Sequence, residues 1–194
     1  MTTKQEKAIK NLSQEEQEAI RNLSPEELNE LMQKNCLFCG IVSGQVPSIR
    51  VYSDESFIGV LDINPASPGH TILLPKKHVM SIEEMEGDLL SAVKRIVSAQ
   101  KRGFDVDGVT VLIPEGISAG QKLPHASVHL IPRVEGDRLF TWEGKKTSEK
   151  ELKKSAEGII KNLAPLHEQE EIPEVVGEVD DSELERYEED ERIP

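Results

Sequence analysis

The chain has 194 residues and a mass of 21.6 kDa, with 36 acidic and 23 basic side chains and a formal charge of -13. That length allows one sizeable core with extensions. A hydrophobic content of 37%, with no apolar run near the ~20 residues of a bilayer span, excludes a membrane-spanning helix. The charge is uneven: residues 164–194 hold 13 acidic and 2 basic side chains, residues 1–35 hold 7 and 5, and the middle is neutral. The acidic tail repels phosphates, so a long nucleic acid is disfavoured as a partner while a single nucleotide in the neutral middle is not.

The polar start MTTKQEKAIKNLSQEEQ lacks the apolar stretch of a secretory signal, and two cysteines make no disulfide framework, so a cytoplasmic protein is expected. Residues 1–34 read as a helical extension. Ser13 with Glu16, and Ser24 with Pro25 and Glu27, have the spacing of helix-starting capping boxes. Leu12, Ile20, Leu23, Leu28 and Leu31 would dock such helices on a core; residues 1–12 read equally well as a frayed charged arm.

From Cys39 the apolar period shortens. Arg50 to Tyr52 and Phe57 to Asp62 read as antiparallel strands across a polar turn, and Thr71 to Leu74 as a third. Asp88 to Lys101 places Leu89, Leu90, Val93, Ile96 and Val97 on one helical face. Val109 to Ile113 and Ser127 to Ile131 are two more strands, joined by the loop Pro114 to Gln121, and Arg138 to Trp142 is a candidate sixth. Ser148 to Leu163 is an amphipathic helix expected to close the domain. Strands with segregated helices predict an α+β domain over residues 35–163 built on an antiparallel sheet. The segment 164–194 reads as a largely disordered acidic tail; Ile172, Val175, Val176, Val179, Leu184 and Tyr187 are its anchors should it dock on a protein partner.

Two patterns carry chemistry. Cys36 and Cys39 have the spacing of a knuckle that grips zinc through two thiolates, or of a redox pair. His125, Ser127 and His129 alternate in QKLPHASVHLIPR, and period-two spacing puts all three on one face of a strand. Upstream, Asp62 and Ile63 precede the segment Pro68-Gly69-His70, and GHTILLPKKH ends at His78.

Together these residues resemble the histidine triad (HIT) family of nucleotide-binding hydrolases and transferases, from about Asn35 to Leu163, in the form of an archaeal variant without the middle histidine. The resemblance implies an antiparallel sheet that pairs two-fold into a homodimer. It implies one structural zinc per chain on Cys36, Cys39, His78 and His125. It also implies a purine nucleotide or dinucleotide as ligand, with Asp62 on the ribose hydroxyls, Ile63 beside the sugar or base, Phe38 and Leu61 as base-pocket walls, and Gly120, Gln121, Lys122, His70 and His129 about the phosphates.

In the family the middle histidine attacks the α-phosphate, and here that position is Ser127. An unactivated hydroxyl is hardly ever ionised near neutral pH, and its phosphate ester hydrolyses far more slowly than a phosphoramidate. Pro114 stands where the family offers an asparagine amide, and Lys122 where a serine is common. The expectation is a nucleotide binder with weak or absent phosphoryl transfer. The alternative is an active nucleotidyl hydrolase that uses His70, or a water activated by His129.

Overall fold

The computed structural model describes residues 18, 22–139 and 147–163. The capping box at Ser13, the apolar positions Leu12 and Ile20, most of the candidate strand 138–142 and the whole acidic tail lie outside them. The chain divides into two compact units, Met1–Asp137 and Arg138–Pro194.

The first unit opens with α1, Pro25–Lys34, started by the expected box: the Ser24 hydroxyl accepts from the Glu27 amide, and the Glu27 carboxylate accepts from the Ser24 amide. Leu31 stays 40% exposed, so this position does not dock as the sequence suggested. A second helix, α2, Leu37–Ser43, follows where the sequence pointed to no regular element. It is too short and too evenly apolar for a helical stripe to show in its sequence. Gly44 ends it with φ 81, a conformation that L side chains seldom adopt.

Five strands form one antiparallel sheet in the order β1-β2-β3-β5-β4: β1 Arg50–Ser53, β2 Phe57–Leu61, β3 Thr71–Pro75, β4 Gly108–Leu112 and β5 Val128–Arg133. The β2 and β3 runs are buried on both faces, so they read as continuous apolar stretches rather than as alternation. Helix α3, Leu89–Gly103, lies on one face, where Ala92 and Ile96 pack against Phe57, Leu73, Val128 and Leu130. On the other face Phe38, Ile41 and Val42 of α2 cover Ile58, Val60, Ile72 and Leu74. Three-layer burial of this kind makes truncation of Leu73 or Leu130 to alanine cost about 2–5 kcal/mol. The expected α+β architecture is the observed one.

Register decides which face carries chemistry. His129 pairs with Ile72, placing it and Ser127 on the α2 side, while Val128 and Leu130 turn to α3. In the second unit, α4 spans Glu149–Ile160 and begins with a capping box from Ser148 and Glu151. Among the described residues no helix is long and apolar enough to cross a membrane.

Candidate functional site

Two clusters meet at the start of β5. In the first, Cys36 caps the beginning of α2, Cys39 lies one turn along it, His78 follows β3, and His125 stands three residues before β5. Their ligand atoms lie within 4.8 Å of one another. Cys36 Sγ is 3.4 Å and Cys39 Sγ 3.5 Å from His125 Nδ1, and Cys39 Sγ is 3.1 Å from His78 Nδ1. A tetrahedral zinc, with bonds of about 2.3 Å to sulfur and about 2.0–2.1 Å to nitrogen, spaces such donors about 3.6 Å apart. The donor set therefore fits zinc in both chemistry and spacing. The His125 ring is already oriented for it: Nε2–H donates to the Pro75 carbonyl at 3.1 Å, which leaves the Nδ1 lone pair turned toward the thiols. Phe38 packs edge-on against this ring at 5.8 Å. Burial pushes the Cys39 thiol up to about 12 and the His125 imidazole down to about 4, and lowers His78 as well, so without metal these three donors are held neutral. The expected four ligands come together; α2, which brings the thiols, was the unforeseen part.

The second cluster holds Asp62, His70 and His129. Asp62, directly after β2, accepts the Asn64 amide at 2.8 Å and keeps its other oxygen 3.7 Å from His70 Nδ1. That contact is dipolar rather than ionic, because burial lowers the His70 pKa and Nδ1 already accepts the Ala66 N–H at 3.1 Å. The tautomers then follow one from the next. With Nδ1 accepting, His70 Nε2–H donates to His129 Nδ1 at 3.0 Å, and His129 Nε2–H points at Ser127 Oγ at 3.5 Å. The same geometry strips Ser127 of a base: neutral His129 offers it a proton instead of a lone pair, and His125 is committed to Pro75 and the thiols. Ser127 itself is 5% exposed.

The loop 114–121 borders this cluster's sequence segment and is closed by its own hydrogen bonds. Gly120 adopts φ 94 at the end of a short turn, Ile117–Ala119, and nothing stands within 4 Å of where its side chain would be. Gln121 has a structural role that its sequence position did not reveal. Its Oε1 accepts the Gly116 N–H at 2.9 Å and its Nε2 donates to the Met80 carbonyl at 2.7 Å, fastening this loop to the segment after His78. Its side-chain amide is thus engaged, and the Gly120 and Gln121 N–H groups donate within the loop as well, to the Ile117 carbonyl at 3.0 Å and the Gly116 carbonyl at 3.1 Å. Lys122 is exposed and near enough to depress His129 electrostatically. Ile63 is 88% exposed beside Asp62. Leu61 does not line the Asp62 cluster, since it ends β2 on the α3 side together with its partner Thr71. Arg133, at the end of β5, holds Asp137 through two bonds of 2.6 Å and Thr110 of β4 through one of 2.8 Å, bracing the strand that carries His129.

These rings set a pH response. Burial lowers the pKa of His70, and burial followed by the neighbouring His70 lowers that of His129, both from 6.5. The unfolded chain therefore binds more protons, so the stability these groups contribute is full above pH 6.5 and is lost as pH falls through their folded values. The denaturation midpoint is expected to fall between pH 7.5 and 5.5, and the double substitution His70→Gln, His129→Gln to flatten that dependence; an unchanged slope would overturn the assignment.

Comparison with known proteins gives a consistent picture. The HIT domain profile matches residues 43–136. An uncharacterized HIT-like protein, MJ0866 of Methanocaldococcus jannaschii, is 42% identical over 53% of this chain and 81% of its own length. The adenylylsulfatase HINT3 of Arabidopsis thaliana is 32% identical over 66% of this chain and 68% of its own. Among solved structures, a HIT family member from Bacillus subtilis superposes with a TM-score of 0.60 at 33% identity, covering 68% of this chain and 99% of that one. A zinc-bound histidine triad protein from Mycobacterium smegmatis gives 0.51 at 35% identity, over 59% and 86%. A histidine triad nucleotide-binding protein from Candida albicans gives 0.58 at 26%, over 66% and 96%.

Proposed function

Because the chain belongs to the HIT family, we propose that it binds a purine nucleotide or dinucleotide and turns it over weakly or not at all. The observation that carries this is the one-way hydrogen-bond chain from the Ala66 amide through His70 and His129 to Ser127. It presents an N–H to an arriving phosphate oxygen and leaves the hydroxyl at the nucleophile position without a base. Asp62, whose second carboxylate oxygen stands 3.7 Å from His70 Nδ1, accepts from the ribose hydroxyls. Ile63 flanks the sugar or base, and Lys122 and His129 meet the phosphates beside the Gly120–Gln121 turn. The relatives named for nucleotide binding and for adenylylsulfatase activity support this ligand class, and the identity to the Methanocaldococcus protein supports an archaeal-type variant.

Cys36, Cys39, His78 and His125 hold one structural zinc per chain in this reading, supported by the donor geometry and the zinc-bound relative. Bound there, the metal supplies a cross-link rather than an open coordination position for chemistry. The protein acts as a homodimer, a reading supported by the outer edge of β4, where Val111 and Leu112 are 41% and 37% exposed. Two free thiols suit a reducing cytoplasm.

Calorimetric titration with AMP, GMP and diadenosine polyphosphates tests the ligand. Binding tighter than about 1 mM is expected, weakened about 10-fold by Asp62→Ala through loss of the ribose hydrogen bonds. No binding by any of them would sink the proposal. The alternative, an active nucleotidyl hydrolase, is favoured only by the adenylylsulfatase relative, and requires another nucleophile with His129 Nε2–H as its acid.

A further inference from the structure

The two histidines of the cysteine–histidine cluster are not equally held. The His125 ring is fully buried, and its Nε2–H donates to the Pro75 carbonyl at 3.1 Å. His78 turns Nδ1 toward Cys39 Sγ at 3.1 Å, so its Nε2 must carry the proton whenever Nδ1 binds a metal. That Nε2 is buried and has no hydrogen-bond partner among the described residues. A ligating imidazole almost always gives its second N–H to an acceptor, which fixes the ring and raises its basicity. Losing such a partner costs about 10–100-fold in metal affinity.

Granted the zinc reading, on which this rests, we propose that His78 is the releasable ligand of the site. Cys36, Cys39 and His125 retain the ion, and the place of His78 is the one an added nitrogen base such as imidazole can take. Two thiolates and one imidazole leave a fourth tetrahedral position, the arrangement of open zinc sites. The acceptors around His78 are already engaged. Glu84 is the carboxylate close enough to act on it electrostatically. Yet its Oε2 accepts the Met80 N–H at 3.3 Å and its Oε1 the Ser81 hydroxyl at 3.2 Å. The Val79 carbonyl takes the Ala126 N–H at 2.7 Å.

The backbone, by contrast, is tied on either side of His78, because the Lys76 N–H also donates to the Ser56 carbonyl at 2.8 Å. The ring has Cys39 as its hydrogen-bond partner and the His125 ring edge-on at 5.1 Å. An anchored backbone with an unbraced ring lets the side chain swing away without unfolding the segment. Burial grades the cluster in the same direction. Cys36 is 7% exposed and His125 0%, whereas Cys39, the thiol that His78 touches, is only half-buried. The site is sealed around Cys36 and His125 and lies nearest to solvent on the Cys39 side.

The test loads the full-length protein with cobalt(II), a coloured stand-in for zinc, and follows its thiolate and ligand-field absorption bands. His78→Ala is expected to keep one ion per chain with the thiolate band intact, and to bind it about 10-fold or more tighter than His125→Ala does. Added imidazole should then shift the ligand-field bands of His78→Ala saturably. Should His125→Ala fail to fold, zinc-loaded wild type supplies a second readout. There the His78 ring N–H is expected to exchange with solvent about 10-fold or more faster than that of His125, since local opening is what admits solvent to either. Equal affinities of the two variants, loss of the thiolate band in His78→Ala, no response to imidazole, or equal ring exchange would each overturn the assignment of His78. A wild type that binds no cobalt would instead overturn the zinc reading, and the releasable ligand with it.

Discussion

Protein purified without added metal is expected to carry one zinc per chain, and stripping it to cost as much stability as a large core truncation. The four donors come from three places in the chain: the start of α2, the segment after β3, and the approach to β5. No backbone ladder joins α2 to either partner segment; packing on Ile58, Val60, Ile72 and Leu74 and the contacts among Cys36, Cys39, His78 and His125 do that work. Free zinc-finger peptides gain about 10–16 kcal/mol from their metal because it also folds them. Here a five-stranded sheet already exists, so the loss is smaller, several kcal/mol, or on the order of 10 °C in Tm for a domain of this size. Chelation followed by thermal unfolding measures it, and Cys39→Ser should reproduce both the metal loss and the lower Tm. Less than about 0.3 equivalent of metal, with a melt indifferent to chelator, contradicts a structural zinc.

The second large effect is chemical. Ser127→His is expected to raise hydrolysis of a nucleoside phosphoramidate or dinucleoside polyphosphate by about 100-fold or more, because removing one organised nucleophile typically costs several powers of ten. The surroundings are prepared for it. His129 already points a ring N–H at position 127, and His70 fixes that tautomer from behind. The obstacle is space: Ser127 is 5% exposed, and an imidazole there must displace a neighbour. Tm is therefore measured beside the rate. A variant that folds as well as wild type and gains nothing would move the defect to Pro114, which is buried and has no N–H, and to Lys122. Wild-type turnover of about 1 per second would overturn the reading of Ser127 as a lost nucleophile.

How far the sequence reached can be followed residue by residue. The strands were legible as short runs of Val, Ile and Leu bounded by turns, and the shared face of Ser127 and His129 needs only period two, while His125 lies in a bend before β5. The set Cys36, Cys39, His78 and His125 was named through resemblance alone, and the structure brings the four side chains together. Their convergence was not legible from spacing, since it depends on α2, whose apolar run LFCGIV carries no stripe and whose Gly40 argues against a helix. Leu61, expected as a base-pocket wall, ends β2 on the α3 side instead, as alternation from Ile58 and Val60 indicates. Gln121 was read for its chemistry, whereas both ends of its amide are tied to backbone; those partners lie 5 and 41 residues away, and no local pattern announces the second. The Gln100 contacts to Gly69 and Leu130, about 30 residues distant in each direction, were invisible for the same reason.

The hydrogen bonds from Ala66 to Ser127 all run the same way, and neutral rings make them dipoles instead of charges. Head-to-tail dipoles polarise one another, so the last N–H is a better donor than an isolated imidazole would offer. An anion held by such a row gains attraction without facing a buried positive charge that must be desolvated first. Mobile salt ions screen fixed charges across a Debye length but do little against short-range dipoles shielded by protein. Lys122 is then the one salt-sensitive contact among the proposed phosphate contacts. Under the proposed binding mode, recognition at the histidines is expected to remain steady over the ionic strengths that would weaken a purely cationic phosphate pocket.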